Sequence, residues 1–177
     1  MTTSAKRRPP GRPRSEPSPW ASVEPDGSDL AVENFPSTLI VQLANALRRT
    51  VTAPYAETFG LTVSEWRFLA MLARLAPARF IDLVDISGSD KAQVSRGLQA
   101  LLERGLAEVC PGAETSKKKL SYRLTKDGMA LYKRVLPHAR ARQASLLACL
   151  GKTERAALFS ALKKLQRKCQ AMEAEQE

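Results

Sequence analysis

The segment from Ser89 to Gly105 constrains the fold of this chain more than any other. Val94, Leu98, Leu101 and Leu102 recur at i, i+4, i+7 and i+8, which places them on one side of a helix. Ser89 or Asp90 can cap its start, and Gly105 ends it where a left-handed backbone is needed. With that side buried, Lys91, Ala92, Gln93, Ser95, Arg96 and Gln99 point outward. Taken alone, such a segment is an amphipathic helix with a solvated polar face. Its neighbours change its meaning. Upstream, Thr62-Val63-Ser64-Glu65 fits a capping box that opens a helix carrying Trp66, Leu69, Ala70, Leu72 and Ala73 to about Leu75. Phe80 to Ile86 suits a helix of two turns, and Gly88 supplies the bend after it. Downstream, Leu106 to Cys110 and Leu120 to Leu124 are short strand-like runs separated by Pro, Gly and a lysine-rich tip, a hairpin with a long loop.

Helix, turn, helix and basic hairpin therefore follow one another within about 60 residues. The fold class expected is mainly α, a winged helix-turn-helix with a small β-hairpin wing and an α-helical dimerisation domain. The second helix of such a unit lies in the major groove. There Gln bonds adenine, Arg or Lys bonds guanine or phosphate, and the Ala92 methyl can touch thymine. The candidate DNA-binding residues are Ser89, Lys91, Gln93, Ser95 and Arg96, joined by Lys117, Lys118 and Lys119 at the hairpin tip, where they can follow phosphates or enter the minor groove. A net charge of +10 agrees with a polyanionic partner.

Elsewhere, residues 1–33 form a basic tail rich in Pro, Ser and Arg, with too few large apolar side chains to offset the entropy of ordering, and it is expected to be disordered. Leu39, Leu43, Ala46, Leu47 and Thr50 recur at helical spacing, predicting a helix over 37–57 that Pro54 disturbs. Thr125 can cap a long helix bent at Pro137, and a last helix starts near Thr153 with Leu158, Ala161, Leu162 and Leu165 as its apolar side. The division expected is a tail (1–33), an N-terminal dimerisation helix (34–60), the winged domain (61–125) and C-terminal dimerisation helices (126–172). Cys110, Cys149 and Cys169 are odd in number and far apart, and His138 is the one histidine, so neither a zinc site nor a disulfide framework follows. No apolar stretch reaches the length of a membrane span, and a cytoplasmic, reduced protein with no membrane partner is expected. No phosphate loop, metal cluster or nucleophile elbow is present, so no catalytic residue, metal or cofactor is expected and the chain is not read as an enzyme.

Three stretches carry a resemblance: Leu61 to Leu69, Val94 to Leu106, and Leu124-Thr125-Lys126-Asp127-Gly128. Together with the closing helices they make the chain similar to the MarR family of regulators over about residues 35–170. The resemblance implies a homodimer joined through the first and last two helices, a pseudo-palindromic operator in double-stranded DNA, and repression relieved by a small aromatic carboxylate. The overall look is nearest to regulators of aromatic or N-heteroaromatic acid degradation, such as nicotinate catabolism. In one place the chain departs from the family. Where the family wing carries Asp-x-Arg, this chain has Ser116-Lys117-Lys118, which lacks the bidentate group and its carboxylate partner and favours plain phosphate contact. For the effector, Arg48 or Arg49 can hold a carboxylate, Tyr55 or Trp66 can stack on a ring, and His138 can bond a hydroxyl. The thiol expected in cysteine-sensing relatives is missing from the first helix, and Cys110 beside the lysine run is the one alternative. Arg8 to Arg14 resembles an imperfect AT-hook built on Gly11-Arg12-Pro13. The rival reading is a non-specific, chromosome-organising DNA-binding protein.

Overall fold

The computed structural model describes residues 18–110 and 120–175, which belong to two compact units, Met1–Asn45 and Ala46–Glu177. In the first unit, part of the stretch expected to lack order is held by turns. The Trp20 indole N–H donates to the Asn34 carbonyl at 2.7 Å, closing the segment onto a short 3-10 helix, Val32–Asn34. Composition argued against order here, but one aromatic ring with a polar edge is enough to tie a loop. Helix α1 (Pro36–Leu47) follows, with Leu39, Ile40, Val41 and Leu43 all exposed.

The helix expected over 37–57 is not regular. Arg48–Thr52 forms a π turn before α2 (Ala53–Thr58). Pro54 has no N–H to close on the carbonyl four residues earlier, and the wider turn accommodates the missing donor. Helix α2 stops at Gly60, whose φ is +66°. The Leu61 N–H donates to the Ala56 carbonyl at 3.0 Å and the Gly60 N–H to the Glu57 carbonyl at 2.9 Å, so the end is a Schellman motif. Helix α3 (Val63–Leu75) opens with the expected capping box: the Glu65 N–H donates to Thr62 Oγ1 at 3.1 Å, and the Thr62 N–H donates to Glu65 Oε2 at 2.7 Å.

Then come β1 (Ala78–Arg79), α4 (Phe80–Ser87) and α5 (Lys91–Glu103). Helix α5 ends in a second Schellman motif at Gly105, with the Leu106 N–H on the Leu101 carbonyl at 2.8 Å and the Gly105 N–H on the Leu102 carbonyl at 2.9 Å. The hairpin strands are β2 (Ala107–Val109) and β3 (Ser121–Leu124), and the long helices are α6 (Lys126–Leu147) and α7 (Lys152–Ala174). Pro137 lies inside α6, and Gly151, two residues before the expected start, caps α7.

The sheet has three strands rather than two, in the order β1-β3-β2 and antiparallel throughout. Ala78 pairs with Tyr122, and Ala107 pairs with Leu124. The core gathers Leu61, Phe68, Leu69, Leu72, Leu83, Val94, Leu98, Leu101 and Tyr122, together with Val135 and Ala139 from α6. Two glycines set how closely its parts approach. A β-carbon on Gly97 would lie 2.2 Å from Phe68 Cδ2, so α5 crosses α3 at a distance only glycine permits. One on Gly128 would lie 1.9 Å from the Leu106 carbonyl oxygen, so the start of α6 seats directly on the backbone where the hairpin begins.

Candidate nucleic-acid interface

The turn between α4 and α5 is secured from α3. Arg67 Nη2 donates to the Ser87 carbonyl at 2.9 Å, satisfying the end of α4 just before Gly88 turns left-handed at φ +59°. Asp90 is the N-cap: its Oδ1 accepts from the Gln93 N–H at 2.7 Å. Ser89 therefore lies in the turn, with its N–H on Ser87 Oγ at 3.1 Å, and the helix expected near Ser89 starts at Lys91. The carboxylate is the stronger acceptor of the two candidate caps.

Helix α5 buries Val94, Gly97, Leu98 and Leu101, while Leu102 is half-buried. Lys91, Ala92, Gln93, Ser95, Arg96 and Gln99 are all exposed, as the apolar spacing required. At about 100° per residue, Ala92, Arg96 and Gln99 lie opposite the buried side, with Lys91, Gln93 and Ser95 on the flanks. Gln99 Nε2 donates to Glu103 Oε1 at 2.9 Å, which lays that amide along its own helix. Gln93 and Arg96, with Thr62, Ser64 and Glu65 from the start of α3, border a groove of about 290 Å³, in which the Glu65 carboxylate is paired with Arg104. The groove's donors suit phosphate or base oxygens.

In the hairpin, Arg123 Nε donates to Glu108 Oε1 at 2.7 Å across directly opposed positions of β3 and β2. Lys117, Lys118 and Lys119 lie outside the described residues, as does the Arg8–Arg14 motif. Cys110 is half-buried at the end of β2, and Cys149 and Cys169 are exposed. Among the described residues no group of His, Cys, Asp and Glu could hold a metal ion, and no helix is long and apolar enough to cross a membrane.

Of the residues considered for an effector, the structure brings Tyr55 and His138 to one cavity of about 230 Å³ between α2 and α6. Phe59 and Arg142 line it as well, together with Pro54, Thr58 and Ala141. Phe59 meets the His138 ring edge-on at 5.0 Å, and the Arg134 guanidinium lies 5.8 Å from the Phe59 ring centre. Burial pushes the Tyr55 phenol above its ordinary range, which keeps it a neutral hydrogen-bonding group. Arg48 and Arg49 are exposed in the π turn and do not line the cavity. Trp66 does not line it either. Its ring is buried between Tyr55, edge-on at 5.8 Å, and Tyr132, stacked at 6.0 Å. Arg142 is the cation that lines the cavity; in the sequence it is one of several basic residues on α6 with nothing to single it out. A second depression of about 360 Å³ is lined by Asp82 and Asp85, whose charge opposes an anionic ligand.

The sequence pattern of the MarR family matches residues 59–117, which span the capping box, α4, α5 and the first half of the hairpin. A MarR/EmrR family transcriptional regulator from Acinetobacter sp. ADP1 is 30% identical, with a TM-score of 0.72 over 80% of this chain and 99% of its own. The chain belongs to the MarR family of transcription regulators. MarR regulators are DNA-binding transcription factors rather than enzymes. Two more distant structures share the MarR fold. BpsR of Bordetella bronchiseptica, whose DNA binding is regulated by 6-hydroxynicotinic acid, is 22% identical over 77% of this chain and 96% of its own, with a TM-score of 0.67. Staphylococcus aureus MarR, solved with salicylate and kanamycin, is 20% identical over 78% of this chain and 92% of its own, with a TM-score of 0.66. None of the curated proteins compared with the chain matches it.

Proposed function

We propose that this MarR regulator is a homodimeric repressor that binds a pseudo-palindromic operator through α5 and is released by a small aromatic or N-heteroaromatic acid. The observation that carries the reading is the outer face of α5: a helix fixed by a buried seam and an acidic N-cap presents Lys91, Gln93, Ser95 and Arg96 to solvent in the second position of a helix-turn-helix. Arg96 reads base edges near the middle of that face, Lys91 and Gln93 act on its flanks, and Ser89 contacts phosphate from the turn. Lys117, Lys118 and Lys119 add phosphate contacts from the wing.

Dimerisation is supported by α7, which buries no residue although Leu158, Phe159, Leu162, Leu165 and Met172 fall on it at helical spacing. The apolar residues of α1 are left open in the same way. Such faces belong to helices that pack on another chain. On this reading α1, α6 and α7 form the dimerisation region.

The effector class is supported by the cavity beside Tyr55 and His138. At about 230 Å³ it is smaller than the sites of drug-sized ligands, which run from roughly 300 Å³ upward, and so suits a single ring. Arg142 supplies the charge complementary to a carboxylate, and Phe59 and His138 supply ring faces.

The test is selection of bound duplexes from a random pool, followed by titration of the selected site with wild-type protein and Arg96→Ala. We expect an inverted repeat with half-sites about one helical turn apart, and at least a tenfold loss of affinity in the variant with the dimer intact by sedimentation. Unchanged binding by Arg96→Ala, or equal displacement by unrelated DNA, overturns the reading. 6-Hydroxynicotinate and salicylate are the first effectors to try for release.

A further inference from the structure

The cavity between α2 and α6 and helix α5 are joined through the backbone from Phe59 to Gly60 and the polar contacts that Arg104 makes there. This arginine is the C-cap residue of α5, two residues before the hairpin polypeptide begins. Its Nη1 donates to the Gly60 carbonyl at 2.9 Å and to Glu65 Oε1 at 2.6 Å. The Glu65 carboxylate also receives the Thr62 N–H, so the corner from Gly60 to Glu65 is gripped from both sides by one guanidinium. Phe59 stands immediately before that corner, and its ring is a wall of the cavity.

We infer that Arg104 is the positioning residue through which occupation of the α2–α6 cavity is passed to the recognition helix. The inference rests on the effector reading above and adds the route. A ring that enters the cavity meets the Phe59–His138 edge contact, whose centres are only 5.0 Å apart, and must part it or stack on it. Phe59 is the C-cap of α2 and precedes a glycine in the left-handed region, so a change in its position turns the Gly60 carbonyl directly. That carbonyl holds the end of α5. Helix α5 packs tightly on α3 at Gly97, roughly 10 Å along the helix from Arg104 and roughly 9 Å from Lys91 at about 1.5 Å per residue. A pivot near the middle turns a shift at Arg104 into an opposite shift of similar size at Lys91. Base readout tolerates little misplacement, since bidentate bonds weaken steeply with angle.

Thr62 and Glu65 also border the groove beside Gln93 and Arg96, so Arg104→Met can change DNA affinity by itself, and a double-mutant cycle separates that effect from the coupling. Ala141 lines the cavity and is exposed, so Ala141→Trp places an indole in the cavity without a ligand; Arg104→Met leaves the shielded Glu65 carboxylate without its cation and costs stability, so every protein is assayed well below its own thermal midpoint. Affinity is measured for the duplex selected by wild-type protein. The expected result is a loss of about tenfold for Ala141→Trp alone and less than twofold for the same substitution in the Arg104→Met background. A merely structural arginine leaves the effect of Ala141→Trp the same in both backgrounds, and that result overturns the inference. So does an Ala141→Trp protein that melts normally and binds DNA as wild type does. Benzoate is the second arm: binding to free protein, followed by titration calorimetry, is expected to be equal with and without Arg104→Met, while release of the duplex is lost in the variant. Failure of benzoate to bind wild-type protein counts against the effector reading alone, because the cycle needs no ligand. Equal release by both proteins overturns the route.

Discussion

Replacing Gly97 with alanine tests whether the crossing of α3 and α5 sets the position of the recognition helix. Two terms favour the substitution. Alanine exceeds glycine by about 1 kcal/mol in a helix interior, and a buried methyl adds about 0.8 kcal/mol. Against them stands geometry. The new β-carbon falls 2.2 Å and 2.3 Å from two Phe68 ring carbons and 3.2 Å from Ser64 Oγ, whereas carbon atoms in contact sit about 3.5–4.0 Å apart. The shortfall exceeds 1 Å, and Phe68 has no exposed surface into which to swing. Overpacking of a tight core costs about 1–3 kcal/mol and occasionally more, and a methyl fixed to the backbone belongs at the upper end. We expect a net loss of about 1–2 kcal/mol, read from urea denaturation of wild type and variant at one protein concentration, because a dimer's stability depends on concentration. Phe68→Leu removes the colliding ring carbons, so the double variant should be less destabilised than the sum of the two single changes by at least 1 kcal/mol. A Gly97→Ala protein as stable as wild type, or strict additivity with Phe68→Leu, refutes the reasoning.

Gly128→Ala should destabilise more than Gly97→Ala, because its β-carbon meets the Leu106 carbonyl at 1.9 Å and backbone has no rotamer to escape into; a thermal midpoint equal to wild type would contradict this. Glu65 carries a pH dependence. Burial raises its pKa, but the Thr62 N–H and the Arg104 guanidinium outweigh that and hold it below its ordinary value. A depressed carboxylate contributes stability that is present above its unfolded pKa and lost as pH falls through the folded one. Denaturation midpoints should therefore drop below about pH 4.5 in wild type, and Glu65→Gln should start lower and flatten that slope; parallel pH profiles for the two proteins would exclude the pair as its source.

What the sequence made legible was local, and the rest depended on residues far apart in the chain. The capping box at Thr62–Glu65, the buried seam of α5 and the glycine after it each declare themselves within a few residues, because capping and amphipathicity are decided by neighbours at i+3 and i+4. Asp90 rather than Ser89 capped α5, a choice between adjacent side chains that only the chain's path through the Gly88 turn decides. Strand β1 was invisible because two residues carry no periodicity; Ala78–Arg79 is a strand only because Tyr122 and Ser121 pair with it. The apolar stripe of α3 already placed Trp66 in the core, but the rings that enclose it, Tyr55 and Tyr132, come from elements far along the chain.

Arg104 shows the limit most clearly. In sequence it is one more basic residue in a chain of net charge +10, next to a helix-ending glycine. Its partners, Gly60 and Glu65, lie 44 and 39 residues away. Each is individually explained by something else, Gly60 by its left-handed turn and Glu65 by its capping box. Once those local duties are discharged, Glu65 still has a carboxylate oxygen to satisfy while largely shielded from water, and a buried carboxylate without a cation is costly. The cation therefore had to come from another element, and the end of α5 is the one that supplies it. The same requirement that completes a buried polar group ties the end of α5 to the corner that follows Phe59.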